Sequence, residues 1–468
     1  MLNPDRYFSS EPTERKCARQ IYEAVQDLPI ISPHGHTDPK WFASNLNFSN
    51  ASELLIIPDH YVLRMLYSQG ISMESLGRTP GKMPLDAKKS REVWSTFAAN
   101  YHLFLGTPSR LWLEHVFQEV FKIKDELNTS SADKIYDQIN EALKSPEFKP
   151  RALLEKFKIK FLSTTDSPID DLSPHYEIQK AKLKTRVVPC FRPDAVIDPE
   201  NESFFENLRK LGTLTDCDIN TYTGYIKALK VKRAEMQALG ATATDHGHPT
   251  PKTLDLSEGE ARELFGKILT GNFNPLDAEN FRAHMLMQMA EMSLSDGLVM
   301  QIHPGSFRNH NQTLFNQIGR DVGADIPMQT EFVKNLKPIL NKFGNNPKFN
   351  FIVFTLDEST YSRELAPLAG HYPALKLGPA WWFHDSPNGM LRFREQTTET
   401  AGFYNTVGFN DDTRAFLSIP ARHDLARRVD ARYLAKLVAE HQMTLEQAQK
   451  LAADLAYNFV KTAYRIHD

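Results

Sequence analysis

His34 and His36 stand two residues apart at the end of an apolar run, Leu28-Pro29-Ile30-Ile31, and Asp38-Pro39 closes the segment. A short apolar run stopped by Gly, Asp and Pro reads as a buried strand entering a loop. Residues i and i+2 of a strand face the same side, so the two imidazoles converge on one point. Convergent imidazoles on a rigid strand end make a pincer for one divalent metal ion such as zinc. The spacing alone decides little. With 16 His in 468 residues, about half of one such pair is expected by chance. A second pair does occur, His246-Gly247-His248. There Pro249 and Pro251 suggest an exposed turn and a structural role for His248.

Residues of the same chemical kind recur at regular places. Strand-like runs cover 160–166, 185–192, 241–246, 298–303, 349–357, 374–378 and 406–412. Most end on a residue able to do chemistry: Asp166, Arg192, Asp245 and His246, His303, Asp357, Asp412. Helical periodicity lies between most of the runs, as in 278–294 and 330–343. Counting the first, eight strands alternating with helices predict an α/β fold, a (β/α)8 TIM-type barrel with a parallel sheet. Barrel sites are built on the C-terminal strand ends, the face these residues share.

The stretch 41–157 departs from the alternation. It is almost wholly helical in pattern, over 51–69 and over 92–122 with Leu113, Val116, Phe117, Val120 and Phe121 on one face. It reads as a large insertion after the first strand. No Gly/Ser linker sets it apart, so residues 1–468 are expected to form a single catalytic barrel carrying that insertion. A helix over 14–26 precedes the barrel, and a capping box, Thr444 to Gln447, opens the last amphipathic run to Tyr464.

Composition bounds the function classes. Hydrophobic residues make 41% and charged residues 24%, ample for a core. A net charge of −3 and a pI near 6.6 give no bias toward nucleic acid. Cys17, Cys190 and Cys217 are unpatterned, which fits a reducing compartment rather than a disulfide framework. No apolar run reaches the roughly 18 residues of a membrane span, and the first residues lack an apolar signal core. A cytoplasmic protein with no membrane association is expected.

His-x-His on a first strand with Asp on an eighth resembles the metal frame of the amidohydrolase superfamily. The segments SPHGHTDP, DHYVLR, TTDSPIDDL, VPCFRPD, TDHG, IHPGSFRN, GPAWWF and NDDTRAFLSIPARHD resemble, in that order, the uronate isomerase family of that superfamily. The resemblance implies interconversion of D-glucuronate with D-fructuronate and of D-galacturonate with D-tagaturonate. It implies His34, His36 and Asp412 as metal ligands, with His60 and Tyr61 in the pocket. Arg192 and Arg414 become contacts to the substrate carboxylate, and His303 and Trp381 further pocket wall. One position departs from the family pattern: His384 stands where Asn is expected after Trp381-Trp382-Phe383.

Aldose–ketose isomerisation moves a proton from carbon 2 to carbon 1 through a cis-enediol and needs no organic cofactor. It requires a base, a group that passes hydroxyl protons, and anchors for the sugar. Asp412 suits the base, Tyr61 (beside His60) the shuttle, and a metal with three protein ligands keeps positions open for substrate oxygens. Blander roles exist for each residue. Tyr61 could be packing, Arg192 a staple to Asp194, Asp412 a helix N-cap, His303 a core histidine, and Trp381 core or interface.

Two rival functions differ in class. A deaminase or lactonase of the same superfamily would commonly place a Lys on the fourth strand, where this chain has Asp245 and His246. A sugar-acid binding protein on an inactive barrel would lack a ligand or base, yet His34, His36 and Asp412 are present. Homo-oligomerisation is compatible with the sequence.

Overall fold

The computed structural model of the chain describes residues 2–80 and 85–467, so residues 81–84 of the predicted insertion lie outside it. Seven parallel strands stand where they are predicted, each shorter: Ile30–Ser32, Ile159–Ser163, Arg186–Val188, Ala243–His246, Val299–Ile302, Phe351–Val353 and Leu375–Leu377. The first three pair in sequence, as do the last four. Phe191 joins the two ladders through bridges to Asp166 and Thr244. The predicted eighth strand is reduced to one bridge, Leu377 to Thr406. Beyond it Gly408 takes φ +80° and Asp412 φ +39°, values outside the strand region, so the run cannot continue as a ladder. The barrel is closed instead by the amide of His36 donating to the carbonyl of Thr413 at 3.0 Å.

Side-chain alternation sorts the strand residues into two cores. Ile31, Phe161, Val188, Ala243, Val299, Ile352 and Val407 fill the barrel interior. Their outward neighbours, such as Met300, Phe351 and Leu375, pack under the surrounding helices. The chain's last helical turns plug the interior with Val460, Tyr464 and Ile466, and the buried Tyr464 hydroxyl donates to Gln301 Oε1 at 2.7 Å. The capping box at Thr444 and Gln447 forms as predicted and opens Leu445–Ala453.

Helices of the insertion share one apolar cluster with Ile30, Ile159 and Leu162 of the first two strands. The long predicted helices are broken. Residues 51–69 divide into Ala51–Leu55 and His60–Tyr67, because Pro58 interrupts the first helix and Asp59 caps the second. Residues 92–122 divide at Gly106, which takes φ +78°, and a new helix Pro108–His115 starts from the Thr107 cap. The predicted helix over 330–343 begins only at Lys337–Phe343, with Pro338 in its first turn. Among the described residues no helix is long and apolar enough to cross a membrane.

Candidate active site

The first strand ends at Ser32, so His34 and His36 lie on the loop beyond it rather than on the strand. Two hydrogen bonds fix that loop: His36 N–H to Thr413 O, and Thr165 Oγ1 to Gly35 O at 2.8 Å. Thus held, His34 Nε2 stands 3.6 Å and His36 Nε2 3.1 Å from Asp412 Oδ1. Burial pushes the Asp412 carboxyl up, but His34 and His36 reverse this and hold it well below the usual carboxylate range. Burial moves His34 down to about 4, against the pull of Asp245 and Asp412. At neutral pH the group is therefore a neutral imidazole beside a carboxylate, the protonation states that ligate metals. Asp412 Oδ1 and His34 Nδ1 are buried without a hydrogen-bond partner. The three residues are among those that could hold a metal ion, and their donor set suits a divalent cation.

Asp245, at the end of the fourth strand, is the pivot behind this group. It is fully buried. Its Oδ1 pairs with His303 Nδ1, and its Oδ2 lies 3.1 Å from Arg192 Nη1 and 3.7 Å from His34 Nε2. Burial raises its pKa, while Arg192 and His303 more than offset that and keep it ionised. The His303 ring is fixed between Phe354, stacked at 3.9 Å, and His34, stacked at 4.9 Å, with the edge of Trp381 at 4.7 Å.

Arg192 makes the loop staple expected of it, its Nε donating to Asp194 Oδ2 at 2.9 Å, and stands in the cavity wall. A Cβ at position 247 would fall 2.1 Å from Arg192 Nη2, so a larger residue between His246 and His248 would have to push the guanidinium out of its place. Those two histidines are buried, not on an exposed turn as the prolines suggest. The chain passes directly beneath the Arg192 and Asp194 side chains. Asp194, His246 and His248 also lie within ligand reach of one another. However, Asp194 already carries the Arg192 guanidinium and the Gly247 amide. A divalent ion there would face a fixed cation across one shared carboxylate, and we assign no metal to that group.

The opposite wall comes from the insertion. Asp59 accepts from the amides of Tyr61 and Val62, which sets His60 and Tyr61 in the first turn of His60–Tyr67. The Tyr61 hydroxyl donates to Trp382 O at 3.1 Å, and burial pushes the phenol far up so that it stays protonated. Burial, with Arg414 adding to it, moves His60 down to about 4. Arg414 Nη2 lies 2.9 Å from Asp321 Oδ1. Every residue predicted for the site lines one cavity of about 1070 Å³. His384 does not. Its ring bonds Leu356 O at 2.7 Å and faces Glu358, so its departure from the expected Asn leaves the cavity untouched.

Arg308, Asp321 and Arg422 also line the cavity and are not in the predicted set. Arg308 and Arg422 sit within the motif segments IHPGSFRN and IPARHD. Arg422 is buried, paired with Asp385, and lies 3.5 Å over the Trp112 ring. Asp321 carries no signal in the sequence.

Residues 8–464 match the model of the glucuronate isomerase family. The chain belongs to that family. It is 59% identical to a uronate isomerase of Phenylobacterium zucineum, covering 100% of this chain and 97% of the relative. A crystal structure of glucuronate isomerase from Caulobacter crescentus superposes with a TM-score of 0.98 at 54% identity, over 100% of this chain and 98% of that one. The uronate isomerase structure from Thermotoga maritima gives 0.92 at 27% identity, covering 99% of both.

Proposed function

We propose that this protein is an enzyme that interconverts aldose and ketose uronates, D-glucuronate with D-fructuronate and D-galacturonate with D-tagaturonate. Family membership supports the reaction. The observation that carries the site assignment is the meeting of His34, His36 and Asp412 with Tyr61, Arg192 and Arg414 in one cavity. In this reading Arg192 and Arg414 bind the uronate carboxylate through charge-assisted bonds, and His303 and Trp381 shape the wall beside the sugar. Asp412, held ionised, takes the proton from carbon 2. Tyr61, held protonated, passes a proton between the neighbouring oxygens, and neutral His60 supports it from the adjacent position.

His34, His36 and Asp412 are the residues that would hold one divalent ion, and we propose zinc. When bound, it supplies electrophilic polarisation of substrate oxygens. The substrate is a small molecule, and we place the enzyme in the cytoplasm from its free, unpatterned cysteines. The insertion supplies Tyr61 and shares a core with the first strands, so we treat it as part of one catalytic unit. No observation favours the hydrolase alternative. Incubation with glucuronate and with galacturonate, read as ketose formation alongside metal analysis of the purified protein, tests this reading. Absence of ketose from both substrates in metal-replete protein overturns it.

A further inference from the structure

After the fifth barrel strand the chain makes an excursion over the cavity. Ser306–Phe307 pairs antiparallel with Ile326–Pro327, and the segment between them folds back onto the insertion. At its turn, a Cβ on Gly323 would lie 2.8 Å from both His60 O and Arg64 Cβ, so the turn is pressed against the helix that carries Tyr61. Two carboxylates of this segment each hold a cavity guanidinium: Asp321 on Arg414 at 2.9 Å, and Asp325 on Arg308 at 2.8 Å. Asp321 takes φ +63°, a conformation that non-glycine residues adopt rarely and at some cost. Its side chain is partly exposed; desolvation against the insertion raises its carboxyl, while Arg414 and His60 reverse that and keep it ionised.

Arg414 is the guanidinium assigned above to the substrate carboxylate, and in this structure a carboxylate of the protein already occupies it. We infer that Asp321 is an internal placeholder that holds Arg414 in the free enzyme and is displaced when a uronate binds. This rests on the assignment of Arg414 as a carboxylate contact. The exchange replaces one carboxylate with another, so a uronate regains what it disrupts. A neutral sugar breaks the Asp321 pair and returns nothing. Asp321 would thereby sharpen selection for charged substrates while weakening apparent affinity for all of them.

The test is Asp321→Asn, which removes the charge and keeps a residue type tolerant of positive φ, with Asp321→Gly as the second variant if the first is unstable. Steady-state KM on glucuronate and the inhibition constant of D-glucarate, which has carboxylates but no carbonyl to isomerise, are measured in each. Both constants should fall by about 3- to 10-fold, as when a guanidinium free in roughly a tenth to a third of molecules becomes free in all. The gain should vanish in an Arg414→Met background. If the Asp321 variants leave both constants unchanged or raise them, Asp321 only orients Arg414 and the placeholder is wrong. If Arg414→Met itself leaves KM and glucarate inhibition at native values, the carboxylate assignment fails first.

Discussion

The hydroxyl of Tyr61 reaches across the cavity and donates to the main-chain oxygen of Trp382 at 3.1 Å. That bond ties the insertion to the loop after the seventh strand, where Trp382 takes φ +52°, a strained value for a bulky residue. In the proposed mechanism Tyr61 therefore has two duties, holding the loop and offering a proton. Removing the hydroxyl in Tyr61→Phe should cost only about 0.5–1.5 kcal/mol of stability, the net value of one hydrogen bond. A shuttle acts in the transition state, so kcat should fall by about 10²-fold or more with KM little changed. Steady-state kinetics and denaturant unfolding of the same preparation separate the two duties, and a change confined to KM would count against the shuttle.

The metal prediction is a matter of stoichiometry. His34→Ala with His36→Ala should remove one equivalent of divalent ion and leave the barrel folded, because both residues lie on a loop beyond the strand. Elemental analysis after dialysis and circular dichroism read these out. Retention of the full equivalent by the double variant would show that the ion sits elsewhere.

Asp245 should be the most costly single carboxylate to neutralise. It is buried and meets Arg192, His303 and His34 at once. Asp245→Asn leaves a partly buried guanidinium with Asp194 alone, a loss somewhat below the roughly 3–5 kcal/mol of a fully buried broken pair. It also releases the His303 ring that packs on Trp381. Urea unfolding should show the loss of stability, and isomerisation should fall with it.

Asp245 also illustrates what the sequence can and cannot reveal. Its position is legible, as a polar residue at a strand end, but its weight comes from three partners brought in by other strands. The alternation of apolar runs was enough to place seven strands, since each is short, buried and closed by polar residues. The eighth breaks off because Gly408, a residue that strands also admit, takes positive φ, and the positive φ of Asp412 has no clear sequence mark. His60 and Tyr61 were located by motif. That they open a helix depends on Pro58 and Asp59, turn chemistry that an apolar periodicity count passes over. The two prolines suggest exposure for His248, whereas Arg192 lying over Gly247 keeps the segment buried. Asp321 was invisible, since its importance lies wholly in a contact with Arg414 across 93 residues.

Stability should fall on mild acidification. Burial lowers His60 and His175 to about 4 and His246 to about 3, against an unfolded value near 6.5. Between these values the unfolded chain binds more protons than the folded one, so stability is present above about pH 6.5 and lost as pH falls toward 4. Asp166 and Asp385 oppose this. Burial raises both to about 7, and raises Asp59 as well, so their contribution is present at low pH and lost as pH rises. Burial also lowers His115, His248, His284 and His423, so the histidines outnumber the carboxyls and set the sign below pH 6.5. Urea midpoints should drop from pH 7 to pH 4.5, and His175→Gln, which replaces the Thr164 partner at 2.9 Å, should flatten that slope.

The two arginines should differ in the kind of damage their loss does. Arg192 is bound by Asp194 and by the buried Asp245, whereas Arg414 is about one-third exposed and bound only by Asp321 among the described ion pairs. Arg192→Met therefore strands carboxylates in the interior and should lower both stability and activity. Arg414→Met strands none in the core, so its effect should be confined to function. On glucuronate, catalytic efficiency should fall by about 10²–10³-fold in either variant, equivalent to about 3–4 kcal/mol of transition-state binding. Lys at either position should restore only part, because it carries the charge without the planar fork. Unfolding curves matched with kcat/KM would expose the asymmetry. Near-native rates on glucuronate in both variants would mean that the carboxylate is read by other residues.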